Sequence, residues 1–321
     1  MGIRIQTNVQ SLTAQRNLAT STKSNDESLE RVSSGFRINR ASDDAAGIAI
    51  SDRLRTDVRS LNMAKRNAND GISLIQTAEG GMSEITNILS RLRELSIQGA
   101  SDTVGNKERG FIHKEYNSLK DEIDRITLST EYNGSLLLTG GADNIPEDIR
   151  KNSNIPPLEF QVGKDWRADT DSADSNGEFA RNPVNVIRVN FDKINTSTGE
   201  KGLGLGASND ENMDSIGVYL EGDEGQSRLR AQKSISKLDT ALEKIAGFRA
   251  ELGSVQSQLN SSISNLSTQS ENYTAANSRI RDTDFAEETA KLTQSNILKQ
   301  AGISVLSQAN QAPSAVLSLL R

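Results

Sequence analysis

The chain has 321 residues, of which 34% are hydrophobic and only 4% aromatic, and it contains no cysteine. A net charge of -6 with a pI near 5.1 argues against a nucleic-acid groove, and the lack of cysteine excludes disulfides, thiolate metal sites and cysteine nucleophiles. So few bulky apolar residues suit long thin helical layers better than a rounded interior, and no apolar run reaches membrane-spanning length.

The N-terminal segment carries Ile5, Val9, Leu12 and Leu18 as a narrow apolar stripe among Ser, Thr, Asn and Gln, and a helix is expected from about Asn8 to Ser33. No acid precedes Asp26. The stretch that follows, "SSGFRINRASDDAAGIAISDRLR" from Ser33 to Arg55, reads as a stop followed by a start. Gly35 suits a helix C-terminus, Asn39 suits a turn, and Ser42, Asp43 and Asp44 supply an N-cap and first-turn acids for a helix opening at Ala45. As an acid-base or metal pair the two aspartates are poorly placed. Neighbours on a helix point about 100° apart, and no second acidic or histidine cluster converges on them.

From 54 to 96 the sequence is helical in period, with Leu54, Leu61, Ala68, Ile75, Met82 and Leu89 recurring every seven residues. Gly71, Gly80 and Gly81 weaken helix propensity there, so either close packing or a break is expected near the glycine pair. A third helix is expected at about 105 to 130, with Phe111, Tyr116 or Leu119, Ile123 and Ile126 on one side. His113 lies on it and is the only histidine. Its charged helical setting, and the absence of a G-x-S-x-G turn, speak for a solvated side chain rather than a triad member.

The middle changes texture. Asn133-Gly134 between strand-like flanks in "STEYNGSLLL" is a hairpin signal. "PLEFQVG" and "NVIRVNFDK" read as strands, the latter alternating Ile187, Val189 and Phe191 with Arg188, Asn190 and Asp192, and "SIGVYLEG" is a further candidate. The polar connection from Gly163 to Asn182 reads as an exposed loop. Its acidic run from Asp169 to Glu178 misses the ligand spacing of a calcium loop, and "GLGLGA", Gly202 to Ala207, fits a dinucleotide fingerprint formally but lacks the preceding strand and following helix. No cofactor, metal or catalytic site is expected.

Near the other end Leu238, Ile245, Leu252, Leu259, Leu266, Tyr273 and Ile280 hold seven-residue spacing without a gap. At 1.5 Å per residue the two long helices would each run roughly 60 Å, and their natural partners are each other. No acid follows Glu288, and the C-terminal stripe of Leu298, Val305, Ala312 and Leu319 again sits among mediocre helix formers. Burying one Leu or Val contributes about 1.5 to 3 kcal/mol, whereas fixing a residue's backbone costs about 1 to 2 kcal/mol. With one apolar residue in three or four, the ends are expected to order only against copies of the same chain.

Several long blocks resemble the bacterial flagellins. They are "IQTNVQSLTAQRNL" from Ile5, "ERVSSGFRINRASDDAAGIAISDRLR", "AKRNANDGISLIQTAEGGMSEI", "LRELSIQGA", "EIDRIT" with "EYNGSLLL", and the C-terminal "NSRIRDTDFAEETAKLTQSNILKQAGISVLSQANQAPSAVLSLLR". The likeness covers roughly residues 1 to 140 and 225 to 321; Phe36 and Arg40 are mild departures from the family pattern. It implies a mainly α fold of long antiparallel helical rods, built by the N- and C-terminal halves, with a small β-hairpin-rich region between them. It also implies a structural subunit of the flagellar filament, exported without a cleaved signal and polymerising for motility.

The resemblance further implies an inner domain of residues 1–44 and 282–321, a rod domain of 45–140 and 225–281, and a short outer region of 141–224. The seven-residue spacing assigns rod packing to Leu54, Leu61, Ile75, Leu89, Leu238, Ile245, Leu252, Leu259 and Leu266, and the terminal stripes assign assembly to Val9, Leu12, Leu298, Val305 and Leu319. Implied partners are copies of the chain, filament cap and hook-junction proteins, an export chaperone at the C-terminal segment, and a vertebrate Toll-like receptor at Arg91, Leu95, Gln98 and Glu115; neither nucleic acid nor membrane insertion is implied. A hook-filament junction protein has similar ends and is the alternative. A cytosolic coiled-coil adaptor would explain the heptads but not the acid-free ends.

Overall fold

The computed structural model describes residues 8–140, 158–165, 185–199, 202–206, 216–219 and 224–319, without the side chains of Asp192, Glu224 and 312–319. In chain order the elements are α1 (Val9–Ser34), α2 (Ala45–Gly99), α3 (Asn106–Ser129), a hairpin of β1 (Glu131–Tyr132) and β2 (Ser135–Leu136), a second antiparallel pair of β3 (Leu158–Gln161) and β4 (Val186–Val189), then α4 (Glu224–Arg281) and α5 (Phe285–Leu319). They form two compact units. One holds the described residues up to Arg59 and those from Ser270 onward; the other holds Ser60–Gln269. The division falls within α2 and α4.

In the larger unit α2, α3 and α4 enclose one core. Ala68, Ile75, Met82 and Leu89 of α2 meet Tyr116 and Ile123 of α3 and Leu238, Ile245, Leu252 and Leu259 of α4. Leu61 and Leu266 are buried near its far end. The two long helices run antiparallel here: Arg93 on α2 pairs with Asp239 on α4 at 2.7 Å, and Glu79 pairs with Arg249 at 3.4 Å, so partner numbers rise on one helix as they fall on the other. Leu54 belongs to the smaller unit and is half-buried.

The helix α2 does not break at its glycines. Gly81 is where hairpin and helix approach: a Cβ there would stand 2.7 Å from Thr130 Oγ1 and 2.8 Å from Leu138 Cδ1, so only glycine lets Leu138 reach the core unshifted. Asn133 and Gly134 both have positive φ, 51° and 78°, as the two-residue turn requires. Close packing therefore resolves the choice that the sequence left open.

Several expectations need correction. Phe111 is 70% exposed, not on the buried side of α3. Five residues separate it from Tyr116, and at 100° per residue that turns it far from the line of Tyr116, Lys120, Ile123 and Thr127, which is buried. In "SIGVYLEG" the described residues 216–219 form no strand. Ile216 and Val218 are fully buried, but the Ile216 amide donates to Leu205 and the Gly217 amide to Ser234 Oγ, so no ladder partner is used. Phe191, read as the end of a strand, opens a single 3-10 turn, Phe191–Lys193, although Ile187, Val189 and Phe191 are buried as their alternation requires.

Residues 202–206 of the "GLGLGA" segment form a plug in the core. Leu203 and Leu205 are buried, with Gly204 between them at φ 74° and Gly206 after them at φ 76°. Asp124 of α3 holds the adjoining loop, accepting from the Thr198 amide at 2.8 Å and its hydroxyl at 2.6 Å. The acidic run from Asp169 to Glu178 lies outside the described residues.

His113 is half-buried rather than solvated. Its Nε2 lies 3.2 Å from Asn117 Nδ2, and its ring stands 6.2 Å from that of Tyr219. Burial, reinforced by the charges of Arg230 and Lys120, lowers its pKa to about 4. Between the ordinary value of 6.5 and about 4 the unfolded chain takes up a proton that the folded chain refuses, so stability is full above pH 6.5 and is lost as pH falls toward 4. Discounted for the solvent that reaches the ring, the loss is roughly 1 to 2 kcal/mol. Urea titrations at pH 7.5 and 4.5 should show a smaller pH difference for His113→Gln than for the parent; equal differences would contradict this account.

Candidate assembly surface

In the smaller unit α1 and α5 lie side by side and antiparallel. Asn8 caps α1, its Oδ1 accepting from the Ser11 amide at 3.0 Å, and Gly35 closes it in the left-handed conformation at φ 74° with its amide donating to Arg31. Asp284 caps α5 through the amides of Ala286 and Glu287.

The seam between these helices is polar. Every fully buried side chain described on them is hydrophilic: Ser11, Asn25 and Ser28 on α1, Glu288 and Ser295 on α5. Asn25 Nδ2 donates to Asn296 Oδ1 at 2.8 Å, Ser28 donates to Glu288 at 2.7 Å, and Ser11 donates to Asn310 at 2.7 Å. Asn8 Nδ2 donates to the Ala309 carbonyl at 2.7 Å, and Arg31 approaches Glu288 to 3.9 Å.

Leu18, Val32, Leu292 and Leu306 are partly buried, but most of the large apolar side chains are not. Val9, Leu12 and Leu29 on α1, and Phe285, Ile297, Leu298, Ile303 and Val305 on α5, are all at least half exposed, Leu298 and Val305 at 53% each. A helix pair whose most buried side chains are serines, an asparagine and a glutamate, and whose larger apolar side chains are mostly exposed, departs from an amphipathic helix packed on its own core. Scattered exposed leucines are ordinary on protein surfaces, but an outward-facing apolar set on one thin pair marks a surface awaiting a partner.

The joint beside this pair is stitched by backbone bonds between two separate passages of the chain. The Arg37 amide donates to the Arg281 carbonyl at 2.6 Å, the Thr283 amide to Gly35, and Phe36 bridges Asp282. The Arg281 guanidinium lies 4.7 Å from the Phe36 ring centre and 3.6 Å from Asp52. Asp43 accepts from the amides of Asn39 and Arg40, which hold its carboxyl below the usual range, and Asp44 accepts from the Gly47 amide at 2.8 Å. Both aspartates are therefore committed to ending one helix and starting the next. Arg40, one of the mild departures from the family pattern, forms a two-pronged pair with Glu30.

Comparison with known proteins decides what kind of subunit this is. Residues 5–143 match the model of the bacterial flagellin N-terminal helical region, and residues 235–320 match that of the C-terminal helical region. Flagellin D of Vibrio cholerae is 39% identical over the whole of both chains, and polar flagellin B/D of Vibrio parahaemolyticus is 38% identical, again end to end. The chain belongs to the bacterial flagellin family. The crystal structure of Bacillus cereus flagellin is similar at 28% identity and a TM-score of 0.43, covering 66% of this chain and 94% of that one. As a flagellin it is a structural subunit of the extracellular flagellar filament, polymerising with its own copies.

Of the terminal residues read from the apolar stripes, Val9, Leu12, Leu298 and Val305 are exposed, while the side chain of Leu319 lies outside those described. On α2 and α3, Arg91 donates to Glu115 at 2.8 and 3.0 Å and to Glu94 at 3.0 Å, and Gln98 is exposed beside them. Leu95 is 2% exposed and packs into the core, so the surface members of that patch are Arg91, Gln98 and Glu115. The sequence reading missed the buried polar residues. Their signal was present: Ser11 and Asn25 lie two heptads apart, and Glu288 and Ser295 one. Among the described residues no helix is long and apolar enough to cross a membrane, and no group of three His, Asp or Glu could hold a metal ion.

Proposed function

We propose that the outward apolar faces of α1 and α5 are the polymerisation surface of this flagellin, forming an inner layer from residues 1–44 and 282–321. Residues 45–140 and 225–281 form a rod layer around it and residues 141–224 a short outer region. The observation that carries this reading is the helix pair itself: its fully buried side chains are polar and hydrogen-bonded while Val9, Leu12, Leu29, Ile297, Leu298, Ile303 and Val305 stay at least half exposed in the single chain. A subunit whose complementary faces do not close on themselves grows an open helical polymer by heterologous contacts. Seeds elongated with monomer carrying serine on this face test it, and growth at the parental rate would remove the reading.

The finer partners follow from the same family likeness. They are the cap and hook-junction proteins at the filament ends, an export chaperone holding the C-terminal segment, and export without a cleaved signal. A vertebrate Toll-like receptor is the proposed external partner of the surface around Arg91, Gln98 and Glu115. The Arg91 guanidinium is already oriented by two carboxylates, which favours a planar two-pronged contact. Arg91→Ala should weaken receptor binding at least tenfold in a surface-capture assay, with α-helical content unchanged. Binding at parental strength would end the transfer.

A further inference from the structure

We propose that residues 216–219 are an acid-released clasp: the segment lies across α2, α3 and α4 while His113 is neutral, and a proton on His113 drives it off. The clasp belongs to the larger unit and does not rest on the polymerisation surface.

All three helices hold the segment. At the end of α2, Val218 fills the space that a Cβ on Gly99 would take. Gly217 sits between α3 and α4: a Cβ on it would stand 3.2 Å from His113 Cε1 and 3.0 Å from Arg230 Nε, so a residue without a side chain lets both close on the backbone. Ser234 of α4 holds the same residue, its Oγ accepting from the Gly217 amide at 2.9 Å and lying 3.1 Å from the Gly217 carbonyl. Arg230 Nη1 donates to the Tyr219 carbonyl at 3.3 Å, and the Ile216 amide donates to Leu205 at 2.9 Å. With Ile216 and Val218 buried as well, the segment is anchored on both sides of Gly217.

His113 is the group in this grip whose charge changes below neutral pH. Its Nε2 lies 3.2 Å from the Asn117 amide nitrogen, and its Nδ1 has no hydrogen-bond partner among the described residues. The charged ring donates from both nitrogens, so the Nδ1 proton would be buried without an acceptor. The charges acting on the ring among the described residues are both positive, Arg230 from α4 and Lys120 from its own helix; the clasp contributes the Tyr219 ring at 6.2 Å, and α2 contributes no charge. Burial pushes the neighbouring Tyr116 hydroxyl up, so it stays neutral throughout. A proton on His113 therefore sets a cation on each side of Gly217. Lifting the segment lets water reach the ring and removes burial, the largest cause of its lowered pKa. Since the closed form titrates at about 4 and a freely hydrated ring at 6.5, closure is favoured above pH 6.5 and opening gains as pH falls toward 4.

Amide hydrogen exchange in the full-length protein tests the release. Corrected for the intrinsic pH dependence, protection at the Ile216 and Gly217 amides should fall about tenfold or more between pH 7.5 and 4.5, while Ile245 and Leu252 in the core of α4 keep theirs. In His113→Gln the two clasp amides should stay protected at both pH values. The reverse direction separates a clasp from a ring that is only buried. Gly99→Ala crowds Val218, and Ser234→Ala removes the hydroxyl that holds Gly217. Each should speed exchange at Gly217 and, by linkage, raise the titration midpoint of His113 from about 4 toward 6.5. That midpoint is read from a single ring resonance, because the chain has one histidine. Three results would overturn the proposal: equal losses of protection in the parent and His113→Gln, a loss at Ile245 and Leu252 as large as at the clasp, or an unmoved midpoint in a variant whose clasp amides exchange faster.

Discussion

Monomer carrying Leu298→Ser and Val305→Ser should fold as the parent does yet raise the critical concentration for filament growth at least tenfold, and nearer a hundredfold. Full burial of a leucine or valine contributes about 1.5 to 3 kcal/mol. Both side chains are 53% exposed, so about half of that remains to be gained when a neighbouring copy covers them. The two positions together then supply roughly 1.5 to 3 kcal/mol per subunit added, which is a factor of about 10 to 150 in the association constant. Serine would also bring a hydroxyl into the contact, and an unpaired one adds to the loss. Circular dichroism of the dilute monomer checks folding, and seeded elongation followed by light scattering and electron microscopy checks growth. Elongation within a factor of two of the parent would mean that this face stays wet in the polymer.

How far the sequence foretold this arrangement depends on which side chains carry the pattern. The rods were legible because Leu61 to Leu89 and Leu238 to Leu266 are apolar at every seventh place and bury what they show. The joint at Gly35 to Ala45 was legible because a left-handed glycine, a turn and two capping acids leave little else for that stretch to be. Phe111 and Leu95 were harder, since an apolar letter near the end of an amphipathic helix does not say by itself whether it faces the core. In α1 and α5 the apolar stripe was visible, but periodicity reports only that a face exists. Which side of the pair it occupies is decided by the polar residues opposite, where Asn25, Ser28 and Glu288 satisfy one another, and such pairing is long-range information. The burial of Leu203 and Leu205 was hidden for a similar reason, since the adjoining loop is held at Thr198 by Asp124, seventy-four residues earlier than Thr198.

Truncating a leucine to alanine in the rod should have the opposite consequence from truncating one on the assembly face, and the contrast separates the two. Leu252 is 1% exposed within the cluster that joins α2, α3 and α4. Leu252→Ala removes three carbons from a packed interior and leaves a cavity that the long helices cannot collapse into without shifting, so a loss of about 2 to 5 kcal/mol in unfolding free energy is expected. Leu298→Ala leaves no cavity, because solvent already reaches that side chain, and its monomer should unfold within about 0.5 kcal/mol of the parent. Urea unfolding of the dilute monomers measures the first quantity, and seeded elongation at a temperature where both variants stay folded measures the second. Leu252→Ala should then elongate close to the parental rate while Leu298→Ala lags. If instead Leu252→Ala were stable and growth-defective, the heptads of α4 would belong to the contact between copies rather than to the interior of one chain.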